Sequence, residues 1–332
     1  MTPGAERAAS LAGLLTDSFE EAATKVLPEL AGLQLSETTV QRTTEAAGER
    51  LGELLDQGKT LGGPTPWPWH KDAEGQTCAY VSVDATGVRQ QAKNGGAADG
   101  RMPYVGMVYN PVPELPEGSP HAPSANAQMQ ARYVAGLYSL DQLSLVMRRQ
   151  GAQVGMDRAQ RWIGLTDGGN GLEPFVRNSF PRVEVVILDF WHASDHLGDL
   201  ARALHPQNDE KATQQKGQWC HTLKHQGGAT IIAELAALEL PVRGSAVRVK
   251  HEEVLGYLRN NVARMDYPTY RSKGWLIGSG SVESACKTVV AQRLKLAGMR
   301  WREPGTDAVC HLRALYKSER AQWQLFWQRI TA

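Results

Sequence analysis

The four cysteines, Cys78, Cys220, Cys286 and Cys310, are scattered along 332 residues with no Cys-x-x-Cys pair among them. That spacing excludes a thiolate zinc site and a disulfide framework. No uninterrupted apolar run is long enough to cross a bilayer. The N-terminus, with Glu6 and Arg7 and no apolar core after a basic start, is not a signal peptide. The expectation is a cytoplasmic protein with no membrane partner. Net charge is low as well, +1 from 36 basic and 35 acidic residues, so no global field draws the chain to nucleic acid. No internal repeat is present. What remains is an ordinary globular composition, 42% apolar and 21% charged. Its length is enough to bury a large core and to divide into roughly two or three domains.

Charge is unevenly spread. Residues 1–60 hold ten acidic and five basic residues, a balance of −5. Residues 287–320 hold eight basic residues, among them Lys287, Arg293, Lys295, Arg300 and Arg302, against three acidic, a balance of +5. Such a run is commonly a solvated helix face. Placed beside a catalytic carboxylate, it would neutralise a phosphate backbone, with Trp301 as a base-stacking surface.

The pattern predicts helices over residues 5–57, with Ser36 before Thr38, Thr39 and Val40 opening the second of them. Gly32-Leu33-Gln34-Leu35 between the two allows a helix-turn-helix, which ranks below a plain bundle because no basic recognition face accompanies it. A Pro- and Trp-rich linker, residues 61–77, follows. Strands are predicted at about 78–84, 88–92 and 104–109, the first two as a hairpin, then a Pro-rich loop over 111–123. Next come a helix to about Arg149, a strand before Asp167, a short helix near Leu172 and a buried strand from Val183 to Leu188. Residues 191–270 turn mainly helical.

Three acidic residues stand out against this frame. Asp84 ends the run Ala79-Tyr80-Val81-Ser82-Val83, and Asp167 ends Trp162-Ile163-Gly164-Leu165-Thr166 ahead of Gly168-Gly169. Two strand-end carboxylates can meet at one edge of a sheet. Glu283 follows Gly278-Ser279-Gly280-Ser281, in the first turn of a helix running to about Lys295 that Ser281 would cap. Taken singly, each is more commonly a turn former or a cap. Converging carboxylates repel one another unless a cation neutralises them, and hard oxygen ligands suit Mg²⁺ or Mn²⁺. Two such ions about 4 Å apart would clamp an in-line phosphoryl displacement.

Order and spacing carry a resemblance. Val81-Ser82-Val83-Asp84-Ala85-Thr86-Gly87-Val88 is followed by Leu165-Thr166-Asp167-Gly168-Gly169-Asn170-Gly171-Leu172 with Phe180-Pro181 downstream, and then by Gly278-Ser279-Gly280-Ser281-Val282-Glu283. The separations are 83 and 116 residues. These motifs resemble the three acidic motifs of bacterial DDE insertion-sequence transposases of the mutator-like group, nearest its ISKra-type branch. That group also carries Cys or Asp, two residues, then His, matched here by Asp189-Phe190-Trp191-His192. Arg293-Leu294-Lys295-Leu296-Ala297-Gly298-Met299-Arg300-Trp301 and His311-Leu312-Arg313-Ala314-Leu315 extend the likeness, which runs from roughly Leu11 to Trp327. The chain departs from similar transposases in its short N-terminal portion, the part they often use to recognise element ends.

The resemblance implies an α/β fold. A ribonuclease H-like core, a mixed five-stranded sheet with flanking helices, would be interrupted by an all-helical insertion and preceded by a helical N-terminal segment. The expected parts are 1–60, the linker 61–77, core 78–192, insertion 193–274 and a final helix with the basic segment, 275–332. It implies catalytic, metal-binding Asp84, Asp167 and Glu283 with two Mg²⁺ or Mn²⁺ ions, and Asp189 and His192 as supporting groups or Asp189 as the alternative second acid. Phosphate contacts would come from Lys287, Arg293, Lys295, Arg300 and Arg302. The partners would be terminal inverted repeats and target DNA, bound by a nucleoid-associated homodimer. A zinc hydrolase built on His192 and His196 with Asp189 or Asp195, Cys220, His221 and His225 is a second reading, and it leaves Asp84 and Glu283 without a role. A shortened, non-catalytic regulator of transposition is a third.

Overall fold

In the computed structural model, the described residues are 1–169, 171–240, 246–278 and 280–331, without the side chains of Arg320, Ile330 and Thr331. Asn170 of the second acidic motif and Ser279 of the third lie outside them. The fold is mixed α/β. A five-stranded, partly parallel sheet takes the order β5-β4-β1-β6-β7, from β1 (Cys78–Ala85), β4 (Tyr104–Asn110), β5 (Gln130–Gly136), β6 (Arg161–Thr166) and β7 (Val183–Leu188). β4 runs antiparallel to both of its neighbours, β1 and β5, whereas β6 and β7 run parallel to β1.

Two sequence expectations need correcting. The strand predicted at 88–92 does not form a hairpin with β1. As β2 (Val88–Gln91) it pairs with β3 (Ala97–Arg101) in a separate two-stranded ribbon. The third strand of the antiparallel part of the main sheet is β5, in the stretch after the Pro-rich loop where only a helix to about Arg149 was expected. Its Arg132 side chain is buried and paired with Glu319 at 2.9 Å.

Alternation along the central strand sorts its side chains. Ala79, Val81 and Val83 face a layer formed by α3 (Leu140–Gln153) and α4 (Leu172–Ser179), with Leu143, Met147, Phe175 and Val176 in its core. Cys78 and Tyr80 face the opposite layer, where α5 (Phe190–Leu204), α6 (Asp209–Gln226), α7 (Gly228–Ala236), α8 (Ala246–Asn261) and α9 (Tyr267–Ser272) bury Leu197, Trp219, Ile231, Leu258 and Tyr267. Each fully buried aliphatic contributes about 1.5–3 kcal/mol.

A third core joins the two ends of the chain. α1 (Pro3–Leu15) and α2 (Glu37–Asp56) pack with α10 (Gly280–Ala285), the π-helical Cys286–Ala291, α11 (Glu303–Lys317) and α12 (Arg320–Thr331). Ser36 caps α2 as expected, accepting from Thr39 N–H at 3.2 Å. Ahead of it, Gly32 closes the preceding helix at φ 61°, a left-handed turn that favours glycine. Because α2 buries Val40, Ala47, Gly48 and Leu51, it works as a bundle helix. The 61–77 segment is not a free tether either. Thr65 and Trp67 donate to Gln153 and Val154 carbonyls at 2.8 and 3.0 Å, and Trp67 and Trp69 are buried. Among the described residues no helix is long and apolar enough to cross a membrane.

α2 and α11 touch backbone to backbone at Gly48, where an added Cβ would stand 2.2 Å from the Ala308 carbonyl oxygen. Gly48→Ala is therefore expected to lower stability by about 1–3 kcal/mol, the range of an overpacked core, read as a lower urea midpoint. An unchanged midpoint contradicts this packing.

Candidate active site

The parallel register decides which carboxylates meet. β1 and β6 align Cys78 with Arg161 and Ser82 with Leu165, and β6 and β7 align Thr166 with Leu188. Continued to the carboxyl ends of the strands, the same register sets Asp84 beside Asp167 and Asp167 beside Asp189. All three belong to the sheet face that carries Tyr80, Leu165 and Ile187. The carboxyl edge of parallel strands, next to the antiparallel switch at β1, is where open α/β sheets bind ligands.

The three environments differ. Asp84 is half-buried; its Oδ1 accepts from Ala85 N–H at 2.7 Å and its Oδ2 from the Cys286 thiol at 3.3 Å. Its pKa lies above the usual carboxylate range, chiefly through burial, with the neighbouring Asp167 charge acting in the same direction and the hydrogen bonds from Ala85 and Cys286 opposing them. Asp167 is half-buried, accepts from Gly169 N–H at 2.9 Å and lines an open cleft of about 450 Å³ with His192, Asp195, His196, Asp199 and Tyr257. Asp189 is fully buried as the N-cap of α5. It accepts from Trp191 N–H at 3.0 Å, and its Oδ2 lies 3.6 Å from His192 Nδ1. Of the two acids that competed for the second position, Asp167 faces the cleft and Asp189 is used in the fold.

Glu283 is exposed in the first turn of α10. One turn later the buried Cys286 donates to Asp84, so the Glu283 helix is tied directly to the β1 end. The helical course extends to Leu294 as predicted, with one change in kind: Cys286–Ala291 is π-helical, a form that often marks functional sites. Ser281 stands inside α10, so it does not cap the helix; its hydroxyl approaches Met129 Sδ at 3.6 Å.

Asp84 and Asp167 fit a hard divalent cation. Both offer carboxylate oxygens at adjacent strand ends, and a cation would relieve the Asp167 charge that adds to the effect of burial on Asp84. Among the described residues, no three His, Cys, Asp or Glu side chains stand close enough together to form a complete metal-holding group. A third ligand from Glu283 would require its exposed side chain to turn towards the pair. Among the described residues the zinc reading gathers no cluster: Cys220 Sγ pairs with Ser194 Oγ at 2.9 Å, and the His221 ring packs tilted on His225 and that of His196 on Tyr257.

The basic residues divide. Lys287, Lys295, Arg300 and Arg302 are exposed, and Lys295 Nζ reaches Thr86 Oγ1 at 3.0 Å, just beyond Asp84. Arg293 corrects the expectation. It is buried between the Phe19 and Trp301 rings and donates to the Gly13 carbonyl at 2.8 Å, with its pKa lowered by burial to about 10. Trp301 is buried as well. Its backbone joins β2, accepting from Gln91 N–H at 2.7 Å, so it offers no stacking surface.

Local sequence gave no sign of Arg264. Buried, it donates to the Thr166 hydroxyl at 2.6 Å and to the Thr166, Asp167 and Val186 carbonyls at 3.2 Å, pinning together the ends of β6 and β7 that carry Asp167 and Asp189. Cys286 was missed as a site residue too, although its place one turn after Glu283 was a usable signal. Compared with protein-family models and with curated proteins, the chain matches none.

The raised Asp84 pKa means that the folded chain holds this proton more tightly than the unfolded chain. Its contribution to stability therefore falls as pH rises from the ordinary carboxylate range through the raised value, and stays lowered above it. Asp84→Asn is expected to raise Tm at neutral pH, with the gain vanishing in acid below the ordinary range. A neutral-pH Tm equal to or below that of the unaltered chain contradicts the assignment.

Proposed function

We propose that this chain is a DDE-type DNA transposase of the mutator-like, ISKra-type kind that its motifs resemble, cutting element ends and joining them to target DNA. The observation that carries the reading is the β1–β6 register, whose offset of 83 residues equals the separation of Asp84 and Asp167. Two further features support it. Three antiparallel strands followed by two parallel ones, in the order β5-β4-β1-β6-β7, fit a ribonuclease H-like core. The helices between β7 and α10 fit the insertion expected before the last acid.

On this reading Asp84, Asp167 and Glu283 hold two Mg²⁺ or Mn²⁺ ions. When bound, these supply Lewis-acid activation of water or a 3′-hydroxyl and stabilise the charge of the displaced oxygen. The protein's own part is placement. The strand register fixes Asp84 and Asp167, Arg264 holds the β6 and β7 ends together, and the Cys286 thiol keeps Asp84 oriented. Lys287, Lys295, Arg300 and Arg302 neutralise backbone phosphate beside that edge. Asp189 and His192 serve as support, Asp189 by capping α5 beneath Asp167. The partners are terminal repeats and target DNA, engaged as a homodimer.

Strand cleavage of element-end DNA in Mn²⁺ tests this reading. Asp167→Asn and Glu283→Gln should reduce cleavage to background while DNA binding persists. Asp189→Asn should keep the α5 cap, since asparagine caps a helix about as well as aspartate, and keep cutting. Undiminished cleavage by Glu283→Gln would sink the proposal, and an inactive Asp189→Asn beside an active Asp167→Asn would move the second acid.

Arg300→Ala should weaken binding to all sequences alike and reduce the salt slope by about 1, as for a phosphate contact. Loss confined to one sequence contradicts that role.

A further inference from the structure

β1 ends at Ala85 and β2 begins at Val88, so the β2–β3 ribbon leaves the sheet next to the carboxylate edge. Its root is fixed to the body at three points. Gln90 Nε2 donates to Thr306 Oγ1 at 3.1 Å, and Arg101 pairs with Glu303 at 2.7 Å. The Trp301 backbone runs parallel to β2, donating to the Arg89 carbonyl at 3.0 Å and accepting from Gln91 N–H at 2.7 Å. The far end packs on nothing: all five residues of β3 are exposed, and so are Lys93, Asn94, Gly95 and Gly96 at the tip.

Pairing with Trp301 also sorts the charges. Gln90 and Trp301 stand opposite each other in the parallel bridge, and both are buried, as is Val88. Side chains alternate along extended chain. Arg89 on β2, and Arg300 and Arg302 on either side of Trp301, therefore project from the opposite face, and all three are exposed. Adjacent strands lie about 4.8 Å apart, so these arginines rise from one patch. None of them is in an ion pair among the described residues. Residues 88–101 and 295–302 together hold six basic residues and a single acid, Asp99. Cations gathered with so little opposite charge complement a polyanion.

The shape of the ribbon selects the polyanion. Its tip, Asn94-Gly95-Gly96-Ala97-Ala98, is narrow because no bulky side chain stands there, and Lys93 is the one cation beside it. A two-stranded ribbon fits the major groove of B-DNA, about 12 Å wide, whereas the major groove of A-form RNA is too deep and narrow to be read. We infer that the β2–β3 ribbon enters the major groove of duplex DNA beside the cut site, with Lys93 and Asn94 at the base edges and Arg89, Arg300 and Arg302 on the flanking backbone. The inference rests on the transposase reading for its substrate and adds the element that holds the duplex in place.

Fluorescence anisotropy of a labelled element-end duplex, titrated with the full chain in metal-free buffer, tests it. Arg89→Ala combined with Lys93→Ala should weaken binding at least about tenfold and reduce the salt slope by about 1–2. Arg7→Ala combined with Lys211→Ala removes the same charge from exposed positions elsewhere and should change neither. The unaltered chain should also protect guanine N7, which lies in the major groove, from methylation. Unchanged affinity of the ribbon variant, an equal loss in the control pair, or equally tight binding to duplex RNA of the same sequence would overturn the inference. Each of these leaves the catalytic reading standing where the unaltered chain still cuts element ends in Mn²⁺. Loss of binding by the ribbon variant of a chain that never cuts would uphold the ribbon and fail the catalytic reading alone.

Discussion

Hydrogen bonding between β1 and β6 pairs Cys78 with Arg161 and Ser82 with Leu165. Because side chains alternate with a period of two, this pairing also decides which carboxylates share a face. A slip of one residue would turn Asp167 towards the α4 layer and leave Asp84 facing a different neighbour. The register is held on both sides of the sheet. Ala79, Val81 and Val83 are buried against one layer, and Tyr80, Ile163 and Leu165 against the other. At Gly164, a Cβ would stand 2.9 Å from Val176 and 3.0 Å from Val186, so α4 and β7 are set closely around β6. The hydrophobic layers therefore do more than stabilise the fold: they align two like charges.

Those like charges are costly without a partner, and the chain handles its buried cations differently. Arg132, Arg264, Arg293 and Arg313 are all turned inward. Arg264 and Arg293 satisfy backbone carbonyls at element ends, and Arg132 pairs with Glu319, which also receives the Trp67 indole N–H. Each is lowered in pKa by burial, yet each has hydrogen-bond acceptors around it. Asp84 has a thiol, a single backbone N–H and a neighbouring acid instead. A carboxylate pair with so few donors, beside buried arginines that each find acceptors, is what a cation-dependent site requires.

Much of this was legible in the sequence. The apolar runs ending in Asp84 and Asp167, the buried strand Val183–Leu188 and the Ser36 cap are local patterns, and local patterns survive folding. The errors share one cause, since long-range partners reverse what local polarity suggests. Arg132 sits in β5 because Glu319, distant in sequence, neutralises it, and Arg293 is internal because Phe19 and Trp301 sandwich it. β2 leaves the main sheet to pair with β3 and the Trp301 backbone. Arg264 could not have been found from its neighbours, because all its strand-end acceptors lie on β6 and β7.

The central claim concerns where a divalent cation sits. The most direct measurement is the anomalous signal of Mn²⁺ in crystals of the chain soaked with that ion. The prediction is density between Asp84 and Asp167, with Glu283 turned in to complete the ligand set and Asp189 still capping α5. Mn²⁺ bound elsewhere, or bound at Asp167 with Glu283 and Asp84 both outside its ligand shell, would contradict it.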